Sequence, residues 1–101
     1  MPIETNQPAY CIEYFYAKSK YKDKLKNALL KLAEQTKAEP GCLQYDLLQD
    51  NENESLFILL VKFTDRKAIT AHENQLYIKS FMTNEMTQYC EKVIWNDACL
   101  V

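Results

Sequence analysis

Gly41 is the only glycine in the chain, and it falls where one periodicity gives way to another. Upstream, Tyr21, Leu25, Ala28, Leu29, Leu32 and Ala33 recur at helical spacing. Downstream, Leu43, Tyr45 and Leu47 alternate with other residues as one face of a strand. Within Glu39-Pro40-Gly41-Cys42 the glycine therefore marks a sharp passage from helix to strand. Such a site predicts a positive φ, a backbone conformation that glycine adopts without steric cost. With no second glycine, the chain also lacks the phosphate-cradling loops of P-loop and dinucleotide-binding proteins.

The remaining elements follow from pattern. Tyr10 to Ala17 reads as a first strand, with Tyr10, Ile12, Tyr14 and Tyr16 on one face and Cys11, Glu13, Phe15 and Ala17 on the other. Ser19 is expected to cap the long helix, which runs to about Lys37. Cys42 to Gln49 is a second strand and Leu56 to Phe63 a third, joined by the polar loop Asp50-Asn51-Glu52-Asn53-Glu54. The third strand is almost wholly apolar, which predicts a central position in its sheet. Thr64 or Asp65 should cap a short helix through Ala68 and His72, and a second helical piece runs from Tyr77 toward Met86. Cys90 to Leu100 is the last strand, with Val93 and Trp95 on one face. The order β-α-β-β-α-β predicts an α+β, ferredoxin-like sheet with the first and third strands in the centre and the helices on one face. Residues 10–101 should form one domain, preceded by a flexible N-terminal arm over residues 1–9.

Helices on one side leave the other side of the sheet open, yet the central strands carry apolar and aromatic residues on both faces. A second copy of the same chain is the simplest cover, so a homodimer is expected. With a formal net charge of −2 and a sequence pI near 5.4, the chain has no basic face for nucleic acid. No apolar run is long enough for a membrane span. Cys11, Cys42, Cys90 and Cys99 show no metal-ligand spacing, and their place in apolar strands suggests buried free thiols. Met1 to Pro8 has no apolar core like that of a secretion signal. These features together suggest a cytoplasmic protein without a metal site.

Several segments carry a family resemblance: Gly41-Cys42-Leu43-Gln44-Tyr45-Asp46-Leu47-Leu48-Gln49-Asp50, the apolar strand ending at Phe63, Thr64-Asp65-Arg66-Lys67-Ala68-Ile69-Thr70-Ala71-His72, and Tyr77 to Phe81. Over roughly residues 10–97 the chain resembles the antibiotic biosynthesis monooxygenase domain, and within it small bacterial quinol monooxygenase-like proteins and a related autoinducer-processing enzyme. The resemblance implies a dimeric α+β barrel with a pocket in each subunit between sheet and helices. It implies oxidation of polycyclic or quinol-type substrates by O₂, usually with no metal or flavin, so no cofactor is expected. Relatives isomerise a small phosphorylated signal molecule or degrade haem. This chain departs from the pattern where Val61 and Phe63 replace an acid and a polar aromatic, and where Tyr10 to Ala17 lacks an asparagine. The residues of the haem branch are incomplete here, since His72 is the sole histidine.

His72 is the side chain whose ordinary pKa lies nearest neutrality. It matches the family's histidine, and the role this implies is general base or hydrogen-bond donor to substrate; the alternative is a structural histidine tying the short helix to the sheet. Glu73, Asp65 or a backbone carbonyl are the candidates to orient its ring. Tyr14, Tyr45, Phe63 and Trp95 are candidates for the aromatic walls of a substrate pocket, with core packing or a dimer interface as the alternative. Glu13, an acid within an apolar strand, reads either as a pocket base with a raised pKa or as an exposed or interface-paired carboxylate. The composite expectation is a cofactor-independent monooxygenase for a small aromatic or quinol compound. The alternatives are a non-catalytic small-molecule-binding dimer and an isomerase of a small signal molecule on the same fold.

Overall fold

A computed structural model describes residues 7–101. Its elements are β1 (Ala9–Ala17), α1 (Lys22–Lys37), β2 (Cys42–Gln49), β3 (Leu56–Phe63), α2 (Arg66–Glu73), α3 (Leu76–Thr83), α4 (Glu85–Tyr89) and β4 (Cys90–Cys99). The strands form one antiparallel sheet in the order β2-β3-β1-β4. The ferredoxin-like arrangement and the central place of the first and third strands agree with the periodicity. Most of the expected arm, residues 1–6, lies outside the described residues. Its last residue, Ala9, already belongs to β1, where it is paired with Phe63 and Cys99.

The helices bury the sheet face that carries Cys11, Phe15 and Ala17 of β1 with Phe57, Leu59, Val61 and Phe63 of β3. Leu25, Leu29, Leu32, Ala33 and Thr36 supply the inward stripe of α1. Ile69, Ile78 and Phe81 complete the core from α2 and α3. Fully burying each such Leu, Ile or Phe side chain contributes on the order of 1.5–3 kcal/mol. The Phe15 and Phe81 rings meet edge to face, 5.9 Å apart. On the other face, Tyr14 of β1 stands between Ile58 of β3 and Ile94 of β4, and Ile12 stands opposite Leu60. None of Tyr10, Ile12, Tyr14 and Tyr16 is fully buried.

The chain departs from the sequence reading at three local points. Ser19 does not cap the long helix; it opens a short 3-10 turn, Ser19–Tyr21, and α1 starts after Tyr21 without a side-chain cap. Leu43 does not share a face with Tyr45 and Leu47, because the β2–β3 register shifts between Cys42 and Gln44 and leaves Leu43 55% exposed. Asp65, rather than Thr64, caps α2, its Oδ1 accepting from the Ala68 N–H at 2.9 Å.

Gly41 is the fourth and most consequential departure. No glycine in the described residues has positive φ. Pro40 and Gly41 form the centre of a four-residue turn closed by the Cys42 N–H donating to the Glu39 carbonyl at 3.1 Å. What requires glycine is proximity. A Cβ at residue 41 would lie 2.5 Å from the Ala68 Cβ in α2 and 3.4 Å from Thr64 Oγ1. The turn is pinned there by the Thr64 N–H, which donates to the Gly41 carbonyl at 2.9 Å.

Gly41→Ala should therefore destabilise the fold by about 1–3 kcal/mol through overpacking. The same substitution made in an Ala68→Gly background should cost clearly less, because the clashing methyl is gone. Urea unfolding of the four proteins in this double-mutant cycle measures the coupling. Equal cost in both backgrounds would mean that proximity to α2 is not the reason for glycine.

Candidate active site

The helix-side face of the sheet does not pack solidly against the helices everywhere. Between them lies a cavity of about 510 Å³. Phe15, Tyr45, Phe63, Phe81 and Trp95 form much of its aromatic wall, with Leu32, Leu59, Val61, Ile78, Met82 and Met86 between them. Its polar groups are few: Thr36, His72, Lys79, and three carboxylates, Glu13, Glu73 and Asp97. Mostly apolar walls with a few convergent polar groups are the usual make-up of a small-molecule site.

His72 sits in the last turn of α2, its ring 5.2 Å from that of Phe63. Its Nδ1 lies 2.9 Å from Glu39 Oε2, and both side chains are largely buried. The Tyr77 hydroxyl donates to the same carboxylate oxygen, and Thr36 Oγ1 lies 3.2 Å from that hydroxyl. Burial and the Glu39 carboxylate push the Tyr77 hydroxyl well above the usual phenol range, so it remains a donor. A carboxylate can only accept, so the His72 contact is Nδ1–H donating to Glu39. The imidazole is thereby fixed in orientation and tautomer, and Nε2 is the nitrogen left to act as base or acceptor. Thr36, the one polar residue among the fully buried side chains of the described residues, has its hydroxyl satisfied by this chain of contacts.

Glu39 is the residue that sequence reasoning missed. The candidates for orienting His72 are otherwise engaged: Asp65 caps α2, and Glu73 faces the cavity. Glu39 reaches His72 because the Pro40–Gly41 turn packs against α2. No spacing rule links two residues in separate elements, although an acid held directly before a Pro-Gly turn is a signal worth following.

The other candidates divide by face. Tyr45, 8% exposed, Phe63, fully buried, and Trp95, 49% exposed at the edge, all line the cavity with His72. Tyr14 does not; alternation along β1 turns it to the open face of the sheet. Its neighbour Glu13 takes the cavity side, opposite Leu59 and Trp95. Burial, followed by the nearby Asp97 and Glu73 charges, pushes its carboxyl up to about 7. Cys11, on the same face, has its thiol near Asp97 Oδ1 at 3.5 Å. Burial above all, with Glu13 and Asp97 adding to it, pushes that thiol well above the ordinary range, so it is no ready nucleophile. All four cysteines are free thiols, Cys99 being exposed. Among the described residues no group of three or more His, Cys, Asp or Glu side chains is arranged to hold a metal ion. No helix among them is long and apolar enough to cross a membrane.

The raised Glu13 carboxyl makes stability depend on pH with a definite sign. Because the folded value, about 7, exceeds the ordinary value of 4.5, the folded state favours the protonated acid. That stabilisation is complete below about pH 4.5 and is lost as pH rises through 7. Glu13→Gln should thus gain stability over the parent above pH 7, by up to about 3 kcal/mol, and gain nothing at pH 4. Urea unfolding at the two pH values reads the difference; a gain of equal size at both would assign it to packing.

Comparison with known proteins agrees with this architecture. The sequence profile of the family described as antibiotic biosynthesis monooxygenase matches residues 8–84. Protein SO0527 from Shewanella oneidensis superposes with a TM-score of 0.90 at 23% identity, over 94% of this chain and 92% of that one. PA3566 from Pseudomonas aeruginosa gives 0.87 at 25% identity, over 98% and 99% of the two chains. A putative antibiotic biosynthesis monooxygenase from Nitrosomonas europaea gives 0.85 at 20% identity, over 100% and 96%. A search of curated proteins finds no match. The profile spans most of the chain, including both halves of the His72–Glu39 contact, and on that ground the chain belongs to the antibiotic biosynthesis monooxygenase family.

Proposed function

We propose that this chain is a cofactor-independent monooxygenase of the antibiotic biosynthesis type, acting as a cytoplasmic homodimer on a small aromatic or quinol compound. The observation that carries the reading is the His72–Glu39 pair at the wall of an aromatic cavity. Phe63, Tyr45 and Trp95 offer flat apolar surface to a ring. His72 Nε2 takes the phenolic proton, and the resulting electron-rich anion reacts with O₂. A hydroquinone and O₂ give a hydroxyquinone and water. One oxygen atom forms the new C–O bond, the other leaves as water, and the quinol supplies all the electrons. The protein deprotonates, orients and excludes bulk water. Glu39 is a positioning residue: it holds the imidazole and stabilises the imidazolium.

A binding-only reading is favoured by two features: the apolar Val61 at the position where the family resemblance leads one to expect an acid, and the lack of the expected asparagine between Tyr10 and Ala17. Oxygen uptake with a panel of quinols and hydroxylated aromatics separates the two. The parent chain should consume O₂ with at least one of them. His72→Ala should lower kcat/KM by roughly 10²–10⁴-fold, and Glu39→Gln by less, both retaining a folded circular-dichroism spectrum. Ligand binding without O₂ uptake, or full turnover by His72→Ala, would overturn the assignment.

The homodimer is proposed on the open sheet face centred on Tyr14, with Ile58 and Ile94 beside it. A permanent interface of this kind buries on the order of 2,000 Å² or more in total. Sedimentation velocity at micromolar concentration should give a dimer for the parent chain and a monomer for Tyr14→Lys. A monomeric parent chain would rule the interface out.

A further inference from the structure

The cavity carries more negative charge than the proposed chemistry uses. Glu13, Glu73 and Asp97 all line it, while Lys79 is the one lysine on its wall. His72, the other basic group, already faces Glu39. Lys79 forms no ion pair within the described residues, and neither do the three acids. The strand pairing brings two of the carboxylates together: β1 and β4 set Cys11 opposite Asp97 and Glu13 opposite Trp95, so Glu13 and Asp97 are diagonal neighbours on one face. Glu73 approaches from the end of α2.

A second, independent observation comes from Tyr45. It is 8% exposed, it lines the same cavity, and its hydroxyl is the one buried side-chain oxygen or nitrogen without a hydrogen-bond partner among the described residues. A buried hydroxyl left unpaired is costly, and a polar atom in the cavity would remove that cost. The walls beside it are the aromatic rings of Phe15, Phe63, Phe81 and Trp95.

We propose that the cavity selects an aromatic compound bearing a cationic amine: the ring lies against Phe63 and Trp95, the ammonium lies among Glu13, Asp97 and Glu73, and a ring hydroxyl pairs with the Tyr45 hydroxyl. This rests on the reading of the cavity as the substrate site and narrows its substrate class. The chemistry matches group by group. An ammonium has three donors and no acceptor, and carboxylates only accept. The charge-assisted contacts are the strong ones, most of all at Glu13, whose carboxyl is the buried one of the three, whereas Asp97 and Glu73 stand exposed at the rim. Aromatic faces also favour a nearby cation. An anionic aromatic of the same shape would meet three carboxylates and one lysine.

The test uses the unliganded full chain and three matched probes: tyramine (cationic), para-ethylphenol (neutral) and para-hydroxyphenylpropionate (anionic). Isothermal titration at pH 7.5 should show tyramine binding at least roughly tenfold more tightly than para-ethylphenol, a difference of about 1.4 kcal/mol. The anion should bind more weakly than both. In Glu13→Gln/Asp97→Asn the preference for tyramine over para-ethylphenol should shrink to less than about threefold. Glu73→Gln, changed at the end of a helix, should reduce it by itself and serves if the double variant fails to fold. Equal or tighter binding of the neutral or anionic probe overturns the proposal, as does a preference that survives these substitutions, or no binding of any probe. Oxygen uptake is scored separately. Tight tyramine binding with no O₂ consumed by any aromatic amine or quinol leaves this inference standing and removes the oxygenase reading. Turnover of a neutral quinol without an amine preference does the reverse.

Discussion

The contact between the Pro40–Gly41 turn and α2 holds the site together. Glycine lets the turn approach Ala68 to within a distance that no Cβ would tolerate. The Gly41 carbonyl is then tied to the Thr64 N–H at the start of the α2 connection. Glu39, the first residue of the same turn, is carried to His72 at the other end of α2. Tyr77 from α3 and Thr36 from α1 add to the same chain of hydrogen bonds. Four elements are joined through groups that would be costly to bury singly and are inexpensive together. The same turn serves packing and chemistry at once, which is why the single glycine belongs here.

The cavity shows how a sheet builds a site from alternation alone. Every second residue of β1 and β4 faces the helices, so Glu13, Trp95 and Asp97 enter the cavity by parity, without any special loop. Apolar walls raise the cost of charge on Glu13, and neighbouring carboxylates raise it further. A core chosen for stability would place an apolar residue there. The buried Glu13 carboxyl, together with a Tyr45 hydroxyl that has no partner among the described residues, marks the region as one where stability has been given up, and functional sites commonly show that trade.

The opposite face has a different logic. Its residues are mixed, with Tyr10, Ile12, Tyr14 and Tyr16 from β1 and Ile58, Leu60 and Lys62 from β3. The helices of one chain cannot reach it, since both connections cross on the other side. Tyrosine suits such a surface, because its ring can be buried while its hydroxyl stays paired.

Much of the fold was legible in the sequence. The bounds of β2 and β3 coincide with their alternation and apolar runs, and the element order leads directly to the strand order β2-β3-β1-β4. Period and order are local properties, and handedness rules convert them to topology. The caps and turns were less legible: Ser19 and Leu43 read one way by propensity and were placed another way by register and by a 3-10 turn. The site was legible only in part. His72, Tyr45, Phe63 and Trp95 meet at one cavity, whereas Tyr14 lies across the sheet from it. Which of the two faces of β1 met the helices could not be read from a strand whose faces are both apolar or aromatic. By itself the sequence determined the elements, their order and the need for glycine at residue 41. Only the tertiary structure decided why glycine is needed there, that Glu39 meets His72, and that Glu13 is held among apolar walls. These are contacts between elements far apart in the chain, and they exist only once the helices have closed over one side of the sheet.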